Sequence, residues 1–176
     1  GMFIRDPGCN VLNNIIRENI GWNGGGVELH PGTFINNLVV NNVATNHAGG
    51  IMVYGSGNES IIWNNTIVSN RTNGGGGGIL SCDGANPVIW NNIICLNIAG
   101  DHGGGIDFRV GGTAVIGYND VYDNNTDYGG GAAPGIGDIS LDPLFVGGEP
   151  YSYHLQKTSP CIDTGDPDSP LDPDST

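Results

Sequence analysis

The chain has 176 residues, and 18 acidic against 5 basic residues give it a formal charge of −13. That charge excludes nucleic acid, which needs a basic stripe, and an anionic membrane surface for the same reason. The 32 glycines exclude a helical protein, since each costs ~1 kcal/mol in a helix relative to Ala.

Taken in chain order, the elements repeat. A consensus Asn-Asn-x-[Ile/Val]-x-x-Asn places its second Asn at Asn14, Asn37, Asn65, Asn92 and Asn119, with gaps of 23, 28, 27 and 27 residues. Five residues after each comes Asn19, Asn42, Asn70, Asn97 or Asn124. Glycine runs keep step and lead into Val27, Ile51, Ile79, Ile106 and Ala132. Such a period marks a stacked repeat array. Short β-branched runs bounded by Gly and Asn, such as Ser60-Ile61-Ile62-Trp63 and Pro87-Val88-Ile89-Trp90, read as strands. Each coil has room for two or three short strands, and coils stack about 4.8 Å apart.

The pattern predicts an all-β, right-handed, single-stranded parallel β-helix, a solenoid of about five coils. The repeats fill residues 1–135, and residues 136–176 form a C-terminal cap and acidic tail. Alternation assigns three interior columns. They are Val27, Ile51, Ile79 and Ile106; Val11, Phe34, Ile62, Ile89 and Ile116; and Ile16, Val39, Ile67, Ile94 and Val121. The Asn columns mark bends, because Asn tolerates the left-handed region, and stacked amides form ladders along the axis. The glycine runs at 24–26 and 103–105 are turns, with no Lys-Ser/Thr after them to make a phosphate loop.

Chemistry is sought on the outward columns. One is Phe3, Glu28, Met52, Leu80 and Asp107; the other is Arg5, His30, Tyr54, Cys82 and Arg109. Glu28 and Asp107 lie three coils apart, about 14 Å by the strand spacing, outside the carboxyl separation of a glycosidase. Asp107 and Arg109 fit a surface ion pair. In the loops before the glycine runs, alignment puts Asp101 and Asp127 in one column on adjacent coils, and His102 beside Asp101 matches His47. Two adjacent carboxylates can share a proton or hold Ca²⁺, and His102 can serve as a general base. The catalytic candidates are therefore Asp101, His102, Asp107, Arg109 and Asp127, against the plainer reading of polar loop residues.

The tail supplies the metal candidates. Asp163, Asp166, Asp168, Asp172 and Asp174 fall between Pro and Gly, and hard oxygens on stiff turns suit Ca²⁺. An acidic solvated linker has the same composition. Cys9, Cys82, Cys95 and Cys161 match no zinc spacing and permit three pairings if all bridge. No signal peptide stands at the N-terminus. The opening residues align with Gly78-Ile79-Leu80-Ser81-Cys82, so the first coil begins without a cap. That edge predicts missing upstream coils or self-association.

The repeats resemble those of secreted right-handed parallel β-helix proteins of the pectin-lyase-like superfamily. Asn97-Ile98-Ala99 with Gly103-Gly104-Gly105-Ile106, and Asn42-Val43-Ala44 with Gly49-Gly50-Ile51, are similar to the surface repeats of polymorphic outer membrane proteins. Asp142-Pro143-Leu144-Phe145, Tyr153-His154-Leu155 and Ser159-Pro160-Cys161-Ile162-Asp163-Thr164-Gly165 resemble the C-terminal segment of surface-anchored bacterial β-helix proteins. These resemblances imply an extracellular or cell-surface location and a C-terminal cap. The function expected is a structural or adhesive module, carbohydrate-binding or self-assembling, with no insertion into the membrane. The alternative is a polysaccharide lyase or glycoside hydrolase.

Overall fold

The computed structural model describes residues 1–6, 8–148 and 153–169. It is an all-β, right-handed parallel solenoid. Each coil turns through four short strands rather than the two or three expected. Sheet A stacks Met2–Ile4, Val27–Leu29, Ile51–Tyr54, Ile79–Cys82, Ile106–Arg109 and Tyr128–Gly129. Sheet B stacks Asn10–Leu12, Thr33–Ile35, Ile61–Trp63, Val88–Trp90 and Val115–Gly117. Sheet C stacks Ile15–Arg17, Leu38–Val40, Thr66–Val68, Ile93–Cys95 and Asp120–Tyr122. Sheet D stacks Ile20–Asn23, Val43–His47, Arg71–Thr72 and Ile98–Ala99. Sheets B and C are each five strands deep, so about four turns separate the first coil from the last.

The three predicted interior columns stack in register, and Val27, Ile51, Ile79, Ile106, Phe34, Ile62, Ile89, Val39, Ile67 and Ile94 are all fully buried. No single coil could bury these side chains alone. Burying a Leu, Ile, Val or Phe contributes roughly 1.5–3 kcal/mol, so the apolar columns are the main stabilising term.

The two asparagines of each pair do different work. The first, at Asn13, Asn36, Asn64 and Asn91, takes φ of 58°, 56°, 56° and 55° and turns the corner between sheets B and C. The second points inward and forms a ladder. Asn37, Asn65 and Asn92 each donate Nδ2 to the Oδ1 of the next member, at 3.1, 3.0 and 2.9 Å. The same Oδ1 accepts the backbone N–H of the preceding member, at 2.9 Å in each case. A parallel ladder at the C–D corner runs through Asn19, Asn42, Asn70, Asn97 and Asn124. Buried amides that satisfy each other and the bend's backbone avoid the cost of orphaned polar groups.

Both ladders end on a carboxylate. Asp138 Oδ1 accepts Asn119 Nδ2 at 3.1 Å, and Asp127 Oδ1 accepts Asn124 Nδ2 at 2.9 Å. The chain then adds a partial further coil, with parallel bridges from Gly117 to Ile136 and from Asp120 to Ile139. Beyond it the chain straps back along the outside of sheet C. Phe145 and Tyr153 pack on the apolar cluster of Val40, Val68 and Cys95. Asp166 anchors the strap to the B–C corner, accepting Trp90 Nε1 at 3.0 Å and donating its N–H to Asn91 Oδ1 at 2.9 Å.

Candidate functional site: the outer face of sheet A

The outward columns of sheet A have the predicted register. Their exposure is not as expected. Met52, Leu80, Cys82 and Asp107 are buried although they point away from the solenoid axis. The loop at 73–77 folds over Leu80 and Asp107. Gly74 lies against the His47 ring and Gly75 against the Asp107 carboxylate, so closely that neither position has room for a Cβ. The same loop is pinned by backbone bonds, Ala48 N–H to Gly75 O at 3.1 Å and Asp101 N–H to Gly74 O at 3.2 Å.

Under this cover lies an ionic cluster. Arg109 donates from Nε to Asp107 Oδ2 at 3.2 Å and from Nη2 to Asp101 Oδ2 at 2.5 Å. His102 Nε2 lies 3.3 Å from Asp101 Oδ1. Four of the five catalytic candidates are thus brought together. The Asp107–Arg109 pair differs from a surface ion pair, since Asp107 is fully buried. Burial pushes the Asp107 carboxyl upward, opposed by the Gly103 N–H and by Arg109. The Arg109 guanidinium holds the exposed Asp101 below its ordinary value. Burial, with Arg109 second, lowers His47. Among the described residues, Asp107 Oδ1 and His47 Nδ1 are buried without a partner.

Asp127 is not in this cluster. It pairs alongside Gly105, one position before Tyr128, which faces Ile106. Its carboxylate closes the Asn124 ladder. The expected column with Asp101 fails because the loop before the last glycine run is spaced differently from its predecessors. His102 likewise does not replace His47 under the loop; it is half exposed at the cluster's edge.

As chemistry, the cluster is a fork: one guanidinium holds two carboxylates. A glycosidase needs its two carboxyls on opposite sides of a scissile bond. Here both converge on Arg109, and Asp107 offers no surface to a substrate.

Beside the fork lies a pocket of about 250 Å³. Its floor is Met52, Leu80 and Cys82, an apolar cluster built with Ala48 outside the solenoid core. Its rim carries the polar groups of Asn23, His47, Tyr54, Asp83 and Arg109 and one exposed apolar residue, Val110. The Cys82 thiol is pushed up to about 12, mainly by burial, so it stays protonated and behaves as a small apolar group. A hydrogen bond to Asp83 is the first cause raising the Tyr54 phenol. Toward the first coil, Tyr54, His30 and Phe3 form an edge-on ring ladder with centroid spacings of 5.7 and 5.4 Å, and Arg5 stacks over Phe3 at 4.7 Å.

The tail aspartates behave differently. Asp166 uses both oxygens, on Trp90 Nε1 and on the Asp168 N–H. Asp163 and Asp168 are exposed, and Asp172 and Asp174 lie outside the described residues. Among the described residues no three His, Cys, Asp or Glu side chains converge for a metal. All four cysteines are free thiols. Among the described residues no helix is long and apolar enough to cross a membrane.

Sequence reasoning missed two site features: the roofing loop and the carboxylate ends of the ladders. Asp138 follows Asn119 by 19 residues, short of the repeat period, which hid it.

No protein-family model, no curated protein and no solved structure matches this chain. The comparisons therefore assign no family within the parallel β-solenoid architecture.

Proposed function

We propose that the protein is an extracellular adhesive scaffold that binds carbohydrate in the sheet A pocket. The observation that carries this reading is the apolar floor of Met52, Leu80 and Cys82, lying outside the core and rimmed by five polar side chains and Val110. A sugar ring has the matching surface, with C–H faces for the floor and hydroxyls for Asn23, His47, Tyr54 and Asp83. An extracellular setting is supported by the acidic, lysine-poor, glycine- and asparagine-rich composition. The lyase or hydrolase alternative is weakened by the fork at Arg109, which engages both nearby carboxylates.

The test is a glycan array followed by titration calorimetry on the strongest hit. Tyr54→Ala, at a rim residue 39% exposed, should weaken binding by about tenfold, equivalent to ~1.4 kcal/mol. Binding that is unchanged by Tyr54→Ala and by Asn23→Ala would place the ligand elsewhere. Release of new sugar ends from a bound polysaccharide, abolished by Asp101→Asn, would replace adhesion with catalysis.

A further inference from the structure

The B–C corner carries a second groove, of about 430 Å³, between the solenoid and the returning strap. One wall is the outer asparagine column, Asn13, Asn36 and Asn64, all exposed. Their left-handed backbone turns these amides outward, away from the interior ladder. Each sits at the same place in its coil, with its N–H donated to the next coil at 3.2 Å. The floor is apolar, formed by Ile15 and Leu38, and the strap supplies the ring of Tyr153 opposite. Among the described residues, His154 lines this groove but no Asp, Glu, Lys or Arg does, on a protein of formal charge −13.

We propose that this groove binds an uncharged linear glycan lying along the solenoid axis. Three features point to that ligand. A lining without carboxylates, Lys or Arg discriminates against both acidic and basic chains, which would give up hydration without a permanent counter-charge. The apolar floor and Tyr153 accept the C–H faces of sugar rings, while the amides offer both a donor and an acceptor to each hydroxyl pair. The amides repeat at the coil spacing of about 4.8 Å. An extended β-1,4-linked pyranose chain flips at each ring, so it presents the same edge once every two rings, close to the span of two coils. An extended peptide presents one side only every ~6.6 Å and drifts out of step within two coils. The fourth member of the column shows that this corner can hold a chain from outside the coil, since Asn91 Oδ1 accepts the Asp166 N–H of the strap at 2.9 Å. The site is on a different face from the sheet A pocket and shares with it only the class of ligand.

The probes are cellohexaose and 1,4-linked mannohexaose, titrated calorimetrically against the whole chain. Acidic oligogalacturonate of equal length and an uncharged extended peptide serve as comparators. The test variant is Asn36→Gly with Asn64→Gly, which removes two amides while keeping a residue at ease with φ of 56°. At least one neutral hexasaccharide should bind, and the double variant should weaken it by about tenfold or more. The binding that the double variant removes should be removed to the same extent on a Tyr54→Ala background, which separates the corner from the sheet A pocket. The proposal is overturned if neither neutral hexasaccharide binds, if the acidic oligomer or the peptide binds more tightly, or if the double variant binds as well as the parent. Loss of binding by Tyr54→Ala alone would assign the ligand to sheet A and leave the corner groove without one.

Discussion

The two ends of the solenoid are built from the same repeat and finished differently. At the far end both amide ladders stop on carboxylates, Asp138 and Asp127, and a partial coil at 136–139 lies over the last full one. At the near end the ladder simply begins. Asn14 donates both Nδ2 hydrogens, to Leu12 O and Asn37 Oδ1, and among the described residues its own Oδ1 receives none. The apolar column shows a weaker contrast. Ile16 of the first coil is 6% exposed, whereas Ile67 and Ile94, stacked in the same column, are fully buried. The lesson is that an identical residue, Asn, is worth a different amount at each rung. Its value depends on how many neighbouring coils complete its hydrogen bonds.

The largest effect is expected in the middle. Asn65 accepts from the Asn37 N–H at 2.9 Å and from Asn37 Nδ2 at 3.1 Å, and donates to Phe34 O at 2.9 Å and Asn92 Oδ1 at 3.0 Å. Asn65→Ala strands buried donors and acceptors on both adjoining coils. Each stranded group costs about 1–3 kcal/mol, so a loss of roughly 3–5 kcal/mol is expected in urea unfolding. A loss below ~1 kcal/mol would mean that water enters the ladder and that the interior rungs are no different from the ends.

An intermediate effect is expected at the closed end. Asp138 Oδ1 accepts from the Asn119 N–H and Nδ2, and Oδ2 accepts the Tyr128 hydroxyl at 2.8 Å and the Gly135 N–H at 2.9 Å. Asp138→Asn keeps one acceptor and sets an NH₂ group against two donors. A loss of about 1–2 kcal/mol is expected, measured as a shift in the urea midpoint. A neutral or stabilising result would show that the cap works as one more ladder rung and that its second oxygen contributes nothing.

The sequence carried the solenoid because its period is long, repeated and in step with a strand's alternation. Columns such as Ile51, Ile79 and Ile106 could be read directly and are buried as read. The division of labour within Asn36-Asn37 could not. Adjacent identical residues look alike in sequence, and only the sign of φ separates the outward corner amide from the inward rung. At the candidate site the register of sheet A was legible, but its burial was not. Gly74 and Gly75 read as a turn, and nothing in five consecutive glycines says which side chains they cover. The strap was hidden for another reason. Its contacts, such as Asp166 to Trp90 across 76 residues, follow no repeat, so no column announces them.

The smallest effect is expected at the open end, and it is the one that sharpens the comparison most. Asn14 occupies the same rung position as Asn65, with the same backbone context and the same acceptor one coil ahead, Asn37 Oδ1 at 3.2 Å. The Asn14 N–H still reaches Asn37 Oδ1 at 2.9 Å without the side chain. Asn14→Ala therefore removes two donated hydrogen bonds but strands little that water cannot reach, because the residue is exposed. The net worth of an exposed hydrogen bond is small, so the expected loss is about 0.5 kcal/mol or less. Paired urea titrations of Asn14→Ala and Asn65→Ala give the difference directly, with the chemistry of the substitution held constant. If Asn14→Ala costs as much as Asn65→Ala, the first rung is not open in solution. A coil from a second copy or another molecule would then be completing it, which light scattering on the same samples would register as a species above the monomer mass. If the two differ by several kcal/mol and the species is a monomer, completion by coils on both sides is what gives each rung its strength.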